Sequence, residues 1–162
     1  MKVYIIAAVT ADGFIAKSKD QLIDWTSRED KKFFSEMTSK SGVIVLGGNT
    51  FRTFKSLLPG RRHIVYTRND IDDEKVETTS ESPGELIKRL SDEGLSEVAI
   101  CGGSSIYSMF LNAGVVTDVY LTIEPLLFGG GIKLLDTEME IKLELHSIQK
   151  LNQGTLLVHY KV

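Results

Sequence analysis

The chain reads as an α/β protein of three layers: a mostly parallel central sheet, flanking helices and a C-terminal antiparallel hairpin. Three observations predict this. Short runs rich in β-branched residues alternate with amphipathic helical stretches along most of the sequence. The first run, Val3 to Val9, has no polar face, as in a strand buried on both sides. The last two runs alternate apolar with polar residues around the turn Asn152-Gln153-Gly154.

The elements follow in order. Val3–Val9 is succeeded by a long loop from Thr10 to Thr26 and a helix from Arg28 to about Ser39. Val43–Leu46 and Arg62–Thr67 are compact apolar strands. Ser82-Pro83-Gly84-Glu85 starts a helix: Ser82 caps, Pro83 takes the first helical position and Glu85 completes a capping box, with Leu86, Ile87 and Leu90 on the inner face. Glu97–Cys101 is a strand, Gly102-Gly103 leads into a helix carrying Ile106, Tyr107, Phe110 and Leu111, and Asp118–Glu124 is a strand again. Gly129-Gly130-Gly131, ahead of Leu134-Leu135, reads as a tight turn at the sheet edge. Ile141, Leu143 and Leu145 begin the hairpin that Thr155–Tyr160 closes.

With 162 residues the chain is expected to form one domain spanning 1–162, and 42% hydrophobic with 25% charged residues is ordinary for a globular protein. A net charge of -3 disfavours a nucleic-acid or anionic-membrane partner, and no apolar run is long enough to cross a bilayer. The single cysteine, Cys101, excludes an internal disulfide, which fits a cytoplasmic protein, and reads as a small buried residue at a strand end. His63, His146 and His159 are scattered without metal-ligand spacing, so no metal is expected.

Asp30 is the residue that asks for an explanation. Phe33, Phe34 and Met37 follow it at +3, +4 and +7, so the acid opens the helix stripe that faces the core. A carboxylate against phenyl rings suits a proton-handling group or a ligand for a cationic, hydrogen-bonding ring. Ser27 followed by Asp30 is equally the spacing of a capping box, and an acid in the first turn suits the helix dipole. Both readings stand on position alone.

In parallel sheets ligands bind beyond the carboxyl ends of the strands. Gly47-Gly48-Asn49-Thr50 and Gly102-Gly103-Ser104-Ser105 each follow a strand and can offer amide N–H groups and hydroxyls to phosphate. Thr67-Arg68 ends the third strand with a hydroxyl and a cation. Three such ends together suit an extended phosphate-bearing cofactor, although G-x-G-x-x-G is absent.

Taken in order, these pieces resemble dihydrofolate reductase along nearly the whole chain. Ala7-Ala8 and the turn Asp12-Gly13-Phe14-Ile15-Ala16 resemble the family's opening strand and mobile active-site loop. Trp25, Asp30 and Phe34 match its Trp, catalytic acid and ring-contacting Phe. Gly47 to Thr50 resembles the glycine-threonine cofactor motif, and Leu58-Pro59-Gly60-Arg61 the loop whose arginine grips the substrate's glutamate carboxylate. Ile100-Cys101-Gly102-Gly103 with Tyr107 is similar to the twin-glycine motif under the cofactor pyrophosphate, and Tyr120-Leu121-Thr122 places a hydroxyl where the family's threonine partners the acid.

The resemblance implies reduction of 7,8-dihydrofolate with NADPH, within tetrahydrofolate biosynthesis and one-carbon metabolism, by a cytoplasmic monomer or homodimer acting on a small molecule. Asp30, Thr122 and Trp25 would be catalytic. Ala8, Ile15, Gly47, Gly48, Asn49, Thr50, Thr67, Arg68, Cys101, Gly102, Gly103, Ser104, Ser105, Ile106 and Tyr107 would bind cofactor, and Ala7, Asp30, Phe34, Leu58, Arg61 and Thr122 substrate. Two departures matter. Gly48 and Ser105 stand where the family often has arginines toward the adenosine phosphate. Glu124-Pro125-Leu126-Leu127-Phe128-Gly129-Gly130-Gly131 looks more like the pyrimidine reductase domain of riboflavin synthesis, a sister family whose usual Asp-Asp-Pro stretch is missing here. A binding module for pterin or nucleotide without catalysis is the third alternative.

Overall fold

The computed structural model describes residues 1–162. Its elements are β1 (Lys2–Thr10), β2 (Phe14–Ala16), α1 (Arg28–Ser41), β3 (Val43–Gly47), α2 (Gly48–Arg52), β4 (Arg62–Tyr66), β5 (Val76–Thr79), α3 (Pro83–Asp92), β6 (Glu97–Ile100), α4 (Ser104–Asn112), β7 (Asp118–Glu124), β8 (Ile132–Lys133), β9 (Glu144–Lys150) and β10 (Leu156–Lys161). Eight strands form one sheet in the order β5-β4-β3-β6-β1-β7-β10-β9. Pairings from β5 to β7 are parallel, and β10 runs antiparallel to both β7 and β9.

Strand alternation divides β1 between two apolar layers. Val3 and Ile5 join Val43, Val45, Ile64, Val98 and Ile100 against α3 and α4, through Leu86, Leu90, Ile106 and Phe110. Tyr4 and Ile6 join Ile44, Leu46, Val65 and Ala99 on the opposite face, where Phe33, Phe34 and Met37 of α1 cover them. A strand with both faces covered reads as a continuous apolar run, as β1 and β3 do.

The C-terminal hairpin departs from expectation. β9 starts only at Glu144, so Ile141 and Leu143 precede it, and every residue of β9 is exposed. The alternation through Leu145 therefore marks no inner face. β9 is the sheet edge with no helix over it, and the buried residues of the hairpin are Leu157, Val158 and His159 of β10. Three short strands were not legible. β2 and β8 pair with each other outside the main sheet, and β5 is a polar edge strand whose only buried residue is Val76. β5 is fastened partly by charge: Glu77 and nearby Glu81 and Glu93 surround Arg62 and Arg89. Thr67 lies one residue past β4, and α1 continues to Ser41 before Gly42 turns left-handed at φ 68.

The start of α3 is the capping box expected. Glu85 N donates to Ser82 Oγ, while Ser82 N donates to Glu85 Oε2 at 2.9 Å. Ser82→Ala should lower unfolding free energy by about 0.5–2 kcal/mol in urea denaturation. An unchanged midpoint would assign the start of α3 to Pro83 and Leu86 packing instead.

Candidate active site

A cavity of about 1420 Å³ runs along the carboxyl ends of β5, β4, β3 and β6 and onto β1. Pockets for one drug-sized ligand span roughly 300–1,000 Å³, so this one has room for two ligands side by side. Ala7, Ala8, Ile15, Trp25, Asp30 and Phe34 line one end. Gly47, Gly48, Asn49, Thr50, Cys101, Gly103, Ser104, Ser105, Ile106 and Tyr107 line the middle. Thr67 and Arg68 lie toward the other end with Tyr66, Thr79 and Ser80.

Asp30 is 7% exposed, in the first turn of α1. Ser27 caps that turn by accepting from Asp30 N at 3.2 Å. In a reciprocal capping box the acid's own carboxylate would take the Ser27 N–H. Here Glu124 takes it: Ser27 N donates to Glu124 Oε1 at 2.7 Å, and Thr155 Oγ1 donates to Glu124 Oε2 at 2.9 Å. The Asp30 backbone serves the cap while its carboxyl is left for the cavity. The capping alternative is thus met by the backbone, and the carboxyl is buried on the cavity wall. Burial pushes the Asp30 carboxyl above its ordinary value. Thr122 and Thr26 hydroxyls pull it back, and the neighbouring Glu124 charge raises it further. Thr26 Oγ1 is itself buried and otherwise unpartnered.

β7 places Thr122 beside Ala8 and Glu124 beside Thr10. The loop after β1 is tied to the turn after β7, because Asp12 accepts from Phe128 N at 3.1 Å and Gly129 N at 2.7 Å. Trp25 meets the Phe128 ring edge-on at 5.1 Å. Gly131, at φ 134, lets the turn approach β2 so closely that a Cβ there would lie 2.3 Å from the Ala16 carbonyl oxygen. The triple glycine therefore seats the loop.

The middle of the cavity is a cradle of backbone. Gly47 N donates to Gly102 O at 2.7 Å, joining the turns after β3 and β6. A Cβ on Gly103 would sit 3.2 Å from Thr50 Oγ1, one on Gly47 3.1 Å from Ile106 Cγ1, and one on Gly102, at φ 104, 2.8 Å from the Tyr107 hydroxyl. Tyr107 in turn donates to Ile6 O at 3.0 Å. Backbone left bare by four glycines beside the start of α4 suits the pyrophosphate of a dinucleotide. Cys101 is buried with its thiol pushed up by burial, and acts as a wall.

Thr122, Gly102, Leu58 and Arg61 do not line the cavity directly. Thr122 is 1% exposed, behind the Asp30 carboxyl. Arg61 lies along α1, donating from Nε to Thr38 Oγ1 at 2.9 Å, from Nη1 to Pro59 O at 2.9 Å and from Nη2 to Ser35 O at 2.7 Å. The sequence reading missed Thr26, Glu124 and Arg52. A Glu preceding Pro125 gave no sign that it reaches the cap of a helix 97 positions away.

Two outcomes follow. An acid with a raised folded-state pKa penalises the native state once ionised, and the penalty is absent below the unfolded value near 3.8. Asp30→Asn should match wild type in urea midpoint below that pH and become the more stable protein as pH rises. A wild-type advantage near pH 7 would mean that the carboxylate is anchored. Glu124→Gln keeps an oxygen for Ser27 N–H and removes the charge. Asp30 should then titrate at lower pH by carboxyl NMR, and an unmoved titration would deny the coupling.

Comparison with known proteins gives the family and the fold. The profile of the dihydrofolate reductase family matches residues 2–127. The uncharacterized protein YwjB of Bacillus subtilis is 28% identical over 98% of this chain and 97% of its own. A dihydrofolate reductase of Staphylococcus haemolyticus is 32% identical over 68% of this chain and 64% of its own. The Thermotoga maritima diaminohydroxyphosphoribosylaminopyrimidine deaminase/5-amino-6-(5-phosphoribosylamino)uracil reductase superposes with a TM-score of 0.79 at 17% identity, over 99% of this chain and 56% of that one, a likeness of fold. The chain belongs to the dihydrofolate reductase family.

Proposed function

We infer that this oxidoreductase reduces 7,8-dihydrofolate to 5,6,7,8-tetrahydrofolate, using NADPH, with Asp30 as its active-site acid. The observation that carries the reading is a buried carboxyl, with its pKa raised, on the wall of a cavity that also contains a glycine cradle. Family membership supports the reaction class.

A reduced nicotinamide bound along the cavity supplies the hydride. The chain's residues do the rest. Ionised, Asp30 accepts two parallel hydrogen bonds from the 2-amino group and ring N–H of a pterin; protonated, the form that burial favours, it is the source of the proton that the ring nitrogen beside the reduced carbon takes up. Thr122 and Thr26 orient the carboxyl. Trp25, held against Phe128, and the loop it belongs to exclude water. Phe34 packs on the substrate's aromatic portion, and Arg61 is assigned to a substrate carboxylate from its place beside α1.

A second reading is the pyrimidine reductase of riboflavin biosynthesis. It is favoured by superposition of 99% of this chain on 56% of the Thermotoga maritima deaminase/reductase and by the turn after β7, where Asp12 meets the segment that looks like the sister family. Both readings use Asp30 and the cradle and differ in substrate.

Cofactor oxidation by purified protein, with dihydrofolate or with the ribosylated diaminopyrimidine, decides between them. Faster turnover with dihydrofolate is expected. Preference for the pyrimidine reverses the assignment, and no turnover with either would leave a binding module. Asp30→Asn should reduce turnover roughly a hundred- to ten-thousand-fold while remaining folded. Arg61→Ala should weaken dihydrofolate binding more than binding of a tail-less pterin; equal losses would show that Arg61 serves α1 alone.

A further inference from the structure

Gly48 removes a cation from the turn after β3, and the structure shows what occupies the space. Gly48 and Arg52 are the first and last residues of α2, one helical turn apart and on one face. A Cβ built on Gly48 would lie 3.1 Å from Thr67 Oγ1, 3.2 Å from Thr67 Cβ and 3.7 Å from Arg52 Nη1. The Arg52 guanidinium thus extends back over Gly48, on which Thr67, just past β4, also closes. Asn49 Oδ1 accepts from Arg52 Nη2 and holds it there. Arg52, Thr67 and Arg68 all line the cavity. Their charges are also uncommitted: Arg62 and Arg89 are matched by Glu77, Glu81 and Glu93, whereas no carboxylate pairs with Arg52 or Arg68.

We propose that Arg52, seated over Gly48 and beside Thr67, is the specificity-determining cation that reads a phosphate monoester at the adenosine end of the dinucleotide. The assignment rests on the dinucleotide reading of the cavity given above. A Cβ at position 48 would press on Thr67 and only touch Arg52, so glycine keeps the space between the two side chains open. Asn49 accepts from the guanidinium, and Thr67 Oγ1, which accepts from Asn69 N at 3.0 Å and donates to Asn69 O at 3.3 Å, lies on the same side. Arg68 is the neighbouring charge. A guanidinium suits this task because its N–H groups pair with two phosphate oxygens at once.

Direct binding tests it without turnover. Dissociation constants for NADPH and NADH, and for the probes 2′-AMP and 5′-AMP, are measured by calorimetry on wild type, Arg52→Ala and Arg52→Lys. Arg52→Ala should weaken NADPH and 2′-AMP about ten- to a hundredfold, the range of one charge-assisted contact, and leave NADH and 5′-AMP within about twofold. Arg52→Lys should recover only part of the loss, because a point charge cannot pair with two oxygens. Unchanged NADPH affinity in Arg52→Ala, or equal losses for both dinucleotides, overturns the proposal. Wild type that binds NADPH and NADH equally overturns Arg52 but leaves the dinucleotide site standing. Wild type that binds neither removes both. Thermal melting controls for folding, and Arg52 is exposed, so its replacement leaves the core untouched.

Discussion

The site depends on one substitution of partners at the start of α1. The N–H of an N-cap residue needs an acceptor, and the nearest carboxylate in sequence is that of Asp30. Glu124 supplies the acceptor from β7 instead, reaching Ser27 across the sheet edge with Thr155 on its other oxygen. The helix is thereby docked against β7 at the residue that precedes its charged turn, and Asp30 is turned toward the cavity. The Glu124 charge then makes ionisation of Asp30 less favourable, which adds to the larger effect of burial. The contact that positions the acid thus also adds slightly to the preference for its protonated form.

The remaining geometry follows from where the parallel strands end. β3 and β6 are neighbours in the sheet although far apart in sequence, so their glycine turns meet edge to edge. Any Cβ on Gly102 would strike Tyr107, and that tyrosine is itself anchored to the carbonyl of Ile6 on β1. The cradle is therefore a consequence of three adjacent strands and one aromatic wedge. A bulge of backbone without side chains is what an anionic, extended ligand can approach.

Much of this was legible from the sequence because buried strands and capped helices carry local signals. β1, β3, β4, β6 and β7 appear as apolar runs, and Ser82-Pro83-Gly84-Glu85 announces α3. The acid's alignment with Phe33 and Phe34 pointed to the core face, and Asp30 is buried there. What was not legible is what depends on distant pairing. β5 has one buried residue and reads as a loop, while β2 and β8 exist only because the loop after β1 and the turn after β7 find each other. β9 shows the converse failure: its alternation imitates a half-buried strand, but no layer lies above the sheet edge to bury it. Glu124, Thr26 and Arg52 have unremarkable sequence surroundings. Only the fold shows that one caps a helix, one faces the acid and one lies over a glycine.

The two substrate readings converge on the same acid for a physical reason. Both heterocycles offer an amino group and a ring nitrogen to a carboxyl, so the Asp30 end of the cavity cannot separate them by hydrogen-bonding pattern alone. Discrimination must come from the part of the substrate beyond the ring. On the dihydrofolate reading a glutamyl tail would carry carboxylates to the rim beside α1, where Arg61 is held by Ser35, Thr38 and Pro59. Those bonds, with another from Nη2 to Ser35 Oγ, hold the guanidinium in place before any ligand arrives. They also make Arg61 a brace for α1. The same preorganisation thus serves the helix that carries Asp30 and a tail that would leave the cavity past Phe34. On the dihydrofolate reading, tail recognition and acid placement would be coupled through α1, so a change at Ser35 or Thr38 should be felt at both.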